Sequence, residues 1–150
     1  MTFLDQNGPV VLDSFIRAGR RGSFVDNGGR GGIFVHVDPA NSITDSHGID
    51  ERGFTYESHP DHAYRFCGIQ LPIWDEALET AKKAALAIPG ARYVGWDLAC
   101  TEENRWIIVE GNAMTMYIGQ QATLGIGKRK AFLESIHYDE LIQSEHALCP

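Results

Sequence analysis

The chain is short of cysteine, of basic residues and of long apolar runs. Its three cysteines, Cys67, Cys100 and Cys149, are odd in number and widely spaced. That pattern excludes a disulfide framework and suits reduced thiols in a cytoplasmic protein. Thirteen Lys and Arg stand against 20 Asp and Glu, a formal net charge of −7. Such a balance speaks against nucleic acid as a general partner. No apolar stretch approaches the roughly 20 residues that cross a bilayer. The N-terminus, Met1-Thr-Phe-Leu-Asp-Gln-Asn-Gly-Pro9, has neither the basic start nor the apolar segment of a signal peptide. The expectation is a cytoplasmic protein with no membrane partner.

Glycine is in surplus. Of 16 glycines, six fall between Gly19 and Gly32, giving that region backbone freedom that an ordinary loop does not need. Hydrophobic residues make up 43% of the 150 positions, enough for one domain with a real core spanning 1–150. Val10–Arg17 reads as a strand after the Asn7-Gly-Pro turn signal, Ile33–Val37 as a second strand, and Tyr64–Ile69 as another. Residues 38–62 are polar and turn-rich. The clearest helix starts near Pro72. Ile73, Ala77, Leu78, Ala81, Ala84, Ala85 and Ile88 mark one apolar face, Asp75 and Glu76 suit the positive end of its dipole, and Pro89-Gly90 stops it. Residues 113–127 read as irregular, and 128–137 and 138–146 as short helices. This order predicts an α+β domain with a mainly antiparallel sheet and packed helices.

Tyr93–Cys100 and Arg105–Asn112 read as a hairpin around the polar turn Thr101–Asn104. If Cys100 faces Arg105, Asp97 lies opposite Ile108, with Glu110 its diagonal neighbour. A two-residue shift puts Asp97 directly opposite Glu110. In both registers Asp97, Glu110 and Asn112 share a face, because side chains alternate along a strand. Two close carboxylates repel unless one is protonated or a cation lies between them. Hard oxygen ligands of this kind suit magnesium, above all magnesium already bound to phosphates. A solvated acidic face is the alternative on spacing alone.

A second set lies upstream. Arg17, Arg20, Arg21 and Arg30 place four of the 13 basic residues within 14 positions of an acidic chain, together with Asn27 and the glycines. Glycine lets backbone N–H groups approach an anion, and arginine binds phosphate or carboxylate in bidentate fashion. A solvated loop with scattered charge is the other reading. Arg17 differs from the rest because it ends an otherwise apolar strand. His59 and His62 flank Pro60-Asp61. Their spacing is poor for zinc, and His59 fits a substrate loop better. Cys100 reads as a packed small residue, and Trp74, Trp96 and Trp106 read as core or core-edge aromatics.

Ser14–Ile33 with its arginines and glycines, Val94-Gly-Trp-Asp97 and Val109-Glu-Gly-Asn112 together resemble the carboxy-terminal half of an ATP-grasp domain, above all that of the sugar-transfer-associated ATP-grasp family. His59-Pro60 and Gly68–Asp75 also resemble that family's pattern, and the likeness covers about residues 10–125. The resemblance implies ATP as co-substrate, Mg2+ as cofactor and a small carboxylate as substrate, activated as an acylphosphate that an amine or similar nucleophile attacks. It implies that Asp97, Glu110 and Asn112 hold the metal and that Arg17 contacts the transferring phosphoryl group. Asn27, Arg30, Gly31, Gly32 and His59 would help to place substrate or phosphate. The family's preceding half carries the lysines over the phosphates and the adenine segment, and these 150 residues hold no counterpart. The expectation is therefore the amino-terminal half supplied from elsewhere, with the chain alone incomplete for catalysis. The rival expectations are a non-catalytic metal- or anion-binding remnant and a homo-oligomer joined through an open sheet edge.

Overall fold

The computed structural model describes residues 1–23, 31–88, 90–113, 115–116, 118–127 and 129–135. Among the described residues eight strands and three helices follow one another: β1 Thr2–Asp5, β2 Gly8–Val11, β3 Ser14–Ala18, β4 Ile33–Val37, β5 Gly48–Asp50, β6 Thr55–Tyr56, α1 Trp74–Ala87, β7 Tyr93–Cys100, β8 Trp106–Asn112, α2 Ile118–Leu124 and α3 Arg129–Ser135. They form two four-stranded sheets, ordered β2-β1-β7-β8 and β3-β4-β5-β6, and every strand pair is antiparallel. The architecture is α+β, as the sequence predicts.

The predicted strand Val10–Arg17 is two strands in two different sheets. The chain changes sheet at Leu12-Asp13, where a buried carboxylate redirects the backbone. Asp13 Oδ1 accepts the Ser14 N–H at 2.9 Å and lies 2.9 Å from His36 Nε2. Such local side-chain bonds compete with a continuing ladder. The thin apolar patterning of Thr2–Asp5 gave no sign of β1, which pairs with both β2 and β7.

The expected strand at Tyr64–Ile69 is a clasp. Thr44, fully buried, donates its hydroxyl to Phe66 O and accepts the Ile69 N–H at 2.7 Å, while Gly68 N–H reaches Thr44 O at 2.7 Å. With those backbone groups already bonded, no ladder forms there. Phe66 turns inward and completes a core with Ile33 and Val35, flanked by Ile16, Ala18 and Tyr56. Gly48 is obligatory at this core, because a Cβ there would lie 2.5 Å from Ile33 Cγ2 and 2.7 Å from Phe66 Cδ2.

Helix α1 contacts all four strands of the first sheet. It buries a narrow alanine stripe, Ala77, Ala81 and Ala85, so small side chains let it approach the strands closely. Ile73 and Ile88, predicted on that face, are exposed. Ile73 sits outside the helix in a left-handed conformation, φ 43°. Residues read as irregular at 113–127 contain α2, which packs on the second sheet; a Cβ on its Gly119 would lie 3.2 Å from both Phe15 and Phe34. The expected helix at 138–146 lies outside the described residues, as do Pro89 and Cys149. Among the described residues no helix is long and apolar enough to cross a membrane.

Candidate functional site

The β7–β8 register is the shifted one, reached in two steps. At the tip Cys100 faces Trp106 rather than Arg105, because the loop takes five residues, with Asn104 left-handed at φ 58°. A bulge then falls between Asp97 and Leu98: Leu98 faces Ile108 while Asp97 faces Glu110, leaving Val109 as the extra residue. Each step moves the pairing by one. Together they place Asp97 directly opposite Glu110 and Gly95 opposite Asn112. All three polar residues lie on the same side of the bulge, so the parity argument holds for them.

Two glycines lock this arrangement. A Cβ on Gly111 would lie 2.6 Å from the Trp96 ring, and one on Gly95 would lie 2.5 Å from Thr115 Oγ1. Trp96 therefore lies over Gly111, its cross-strand partner, with its indole N–H donated to Thr2 Oγ1 at 2.7 Å. The glycines of Gly-Trp-Asp and Glu-Gly-Asn are packing requirements of the pair that carries the acids.

The two sheets meet at these acids. Arg17, on β3, donates an Nη2 N–H to Asp97 Oδ2 at 2.8 Å, with side-chain exposures of 27% and 33%. A half-exposed pair of this kind contributes modestly, about 0–1 kcal/mol. Its consequence is positional: one guanidinium and one carboxylate of a four-residue set are preset against each other. Glu110 and Asn112 are exposed on β8, the edge of its sheet.

The base of the glycine-rich segment is held by Pro60's neighbours. His59, buried, has Nε2 2.8 Å from Gly19 O, and its Nδ1 accepts the Asp61 N–H at 3.1 Å. Asp61 accepts from Arg20 Nε and from the Arg21 N–H, both at 2.8 Å. The Arg20 side chain first, then the Arg21 backbone, hold the Asp61 carboxyl well below the usual carboxylate range. Three consecutive residues, 19–21, are thus clamped by one turn, Gly19 and Arg21 through their backbone and Arg20 through its side chain. Both ring nitrogens of His59 are engaged within the protein. Gly31 is left-handed, φ 81°, which favours glycine, and Gly32 is buried. Asn27 and Arg30 lie outside the described residues.

The sequence alone did not point to Asp61, Asp13 or Asp45. His36 bridges the last two, with Nε2 2.9 Å from Asp13 and Nδ1 2.6 Å from Asp45. Only the acidic residues' proximity in space reveals these roles; no short spacing encodes them. Cys100 is exposed at the end of β7, not packed, because the strand pair ends there.

A cavity of about 310 Å³ opens beside the Arg17–Asp97 pair, between the sheets and α1. The polar set beside it consists of hard oxygen donors: two carboxylates directly across from each other and a side-chain amide. No cluster of three or more His, Cys, Asp or Glu suited to a metal occurs among the described residues. Few protein ligands are what magnesium takes when phosphates and water complete its shell, so the donor set fits that ion.

A family model, sugar-transfer-associated ATP-grasp, matches residues 1–136. The chain belongs to that family. The match spans both sheets and the hairpin, so this ATP-grasp chain carries Arg17, Asp97, Glu110 and Asn112 within the matched region. Comparison of this ATP-grasp protein with curated proteins and with solved structures gave no match.

Proposed function

We propose that the chain supplies the metal- and phosphoryl-binding side of an ATP-dependent ligase that activates a carboxylate as an acylphosphate for attack by an amine or similar nucleophile. What supports this is one juxtaposition: Arg17 lies 2.8 Å from Asp97, with Glu110 directly opposite Asp97 and Asn112 on the same face. Asp97, Glu110 and Asn112 would hold Mg2+. Bound there, the ion would neutralise phosphate charge and orient the transferring group. Arg17 would exchange its contact with Asp97 for the phosphoryl oxygens, since its fork-shaped guanidinium matches them. The clamped segment at 19–21 would present Gly31, Gly32, Asn27 and Arg30 to substrate or phosphate, with His59 acting through Gly19. Phosphoryl transfer asks the protein for positioning and charge neutralisation more than for covalent help. The nucleotide's adenine and its phosphate lysines would be held by an amino-terminal half joined to or associated with this one.

Calorimetric titration with Mg-ATP, with and without that half, tests the proposal. The expected result is Mg2+-dependent binding that weakens at least tenfold in Asp97→Ala combined with Glu110→Ala. Binding that ignores either Mg2+ or the double substitution would refute it. A second reading is a non-catalytic metal- or anion-binding module that self-associates, and the exposure of Glu110 and Asn112 on an open edge strand favours it. ADP release by the purified chain in the presence of carboxylic acids would overturn that reading.

A further inference from the structure

The cavity beside Arg17 and Asp97 has a wall of two unlike kinds. Its charged lining is the Arg17 guanidinium, the single basic side chain in the wall among the described residues, with Asp97, Asp13 and the amino terminus at Met1. Its apolar lining includes Leu71, Leu78, Leu98, Trp74 and Trp106. The two indoles meet edge-on, with centroids 6.1 Å apart. Their N–H groups are already spent on backbone carbonyls, Trp74 on Pro39 O at 3.0 Å and Trp106 on Pro72 O at 2.8 Å. The rings are therefore fixed in place and offer the cavity apolar surface with no unmet donor. The small side chains of Ala77 and Ala81, which let α1 approach the sheet, also leave the room.

Phosphates and magnesium have no use for that apolar lining. It calls for a different ligand, one that is anionic at one end and apolar at the other. Resting on the phosphoryl-transfer role of Arg17 and Asp97, we propose that this cavity is the acid subsite, and that the activated substrate is a small carboxylic acid with an aromatic or alkyl body. Its carboxylate lies at Arg17, where phosphorylation takes place, and its body lies against Trp74, Trp106, Leu78 and Leu98. At about 30 Å³ for each water-sized group, the 310 Å³ volume takes a body on the order of ten non-hydrogen atoms. That is the lower end of small-molecule sites. A free sugar acid, polar on every face, would leave its hydroxyls without partners against the indoles and leucines, at a cost for each.

The protein carries its own reporter, because all three of its tryptophans line the cavity. Intrinsic fluorescence is titrated with 3-phenylpropanoate, hexanoate, acetate and 3-phenylpropylamine. The expected result is that 3-phenylpropanoate and hexanoate bind at least tenfold more tightly than acetate, and that the amine binds more weakly than its matching acid. Leu78→Lys and Trp74→Ala should each weaken 3-phenylpropanoate at least tenfold. Equal affinity for acetate, preference for the amine, or unchanged affinity in both variants overturns the proposal. Should both variants fail to fold, the wild-type protein decides it by NMR. The Trp74 and Trp106 indole N–H resonances should shift on adding 3-phenylpropanoate, and shifts confined to other residues overturn the assignment. Titration of the chain together with the amino-terminal half, with Mg-ATP and with 3-phenylpropanoate, separates this inference from the function it rests on. Nucleotide binding without acid binding removes the acid subsite alone, and the reverse removes the phosphoryl-transfer reading alone.

Discussion

In β4, Ile33, Val35 and Val37 have no accessible surface, whereas in β8 Ile107, Ile108 and Val109 are all exposed. The first strand lies inside its sheet, between β3 and β5; the second is an edge. Arg17 stands on the sheet built around the sealed core, and Asp97, Glu110 and Asn112 stand on the hairpin whose outer strand has, among the described residues, a neighbour on one side only. The cationic half of the site therefore stands on β3, a strand paired at all five of its residues with the sealed β4. The acidic half is held by one strand pair, a tip tied to α1 through Arg105–Glu76 at 2.8 Å, and two interlocked glycine–side-chain contacts. Regions with few buried contacts open locally at low cost, and that suits a metal site which must admit and release a nucleotide.

The largest test of this contrast falls on the packed sheet. Gly48→Ala should destabilise the protein by about 2–3 kcal/mol, because the new methyl meets two fully packed side chains and the core must shift. Chemical denaturation with urea reads this as a lower midpoint at unchanged slope. A loss below 0.5 kcal/mol would mean that the Ile33–Phe66 core is looser than its burial implies.

A second test asks whether the glycine-rich segment shares the rigidity of the sheet it leaves. Asp61→Asn should speed amide exchange at Arg20 and Arg21 several-fold at pH 7, while the amides of β4 stay protected. The folded-state pKa of Asp61 is depressed, so its contribution is fully present above the unfolded value of about 3.9 and is lost as pH falls through the folded value. In the wild-type protein the clamp should therefore hold unchanged from pH 8 to pH 5 and loosen only in stronger acid. Loosening between pH 7 and pH 5 would place the control in another group.

Much of this organisation could be read before any coordinates. Val94-Gly-Trp-Asp97 and Val109-Glu-Gly-Asn112 announce the hairpin, because apolar alternation interrupted by acids at matching parity is a local signal. Arg17 stood out for ending an apolar run. The register did not, since a five-residue loop and a bulge at Val109 are settled by Trp96 seating itself over Gly111, a contact between strands that no spacing encodes. Asp13 hid inside what looked like one strand, because its partner His36 lies 23 residues away. Asp61 looked like a member of a histidine motif, but its partners are 40 and 41 residues upstream. Local patterns specify elements; the bonds that join the two sheets and hold the loop are long-range.

The Arg17–Asp97 pair joins the two halves, and its strength measures how independent they are. A double-mutant cycle on Arg17→Met and Asp97→Asn should give a coupling of about 0.5–1 kcal/mol, the range of partly exposed ion pairs. A coupling above 2 kcal/mol would mean that the pair is a structural bolt, too costly to open for the guanidinium to turn to a phosphoryl group. Val109→Thr should give the smallest effect, within about 0.5 kcal/mol, as surface substitutions do. Val109 is the bulged residue and is 66% exposed, so its side chain rests on little, and threonine keeps the β-branched shape that suits a strand. If Val109→Thr instead costs as much as Gly48→Ala, the β8 edge is covered in solution by something of comparable packing. Concentration-dependent sedimentation of the wild-type protein would then identify that cover as a second copy or exclude it.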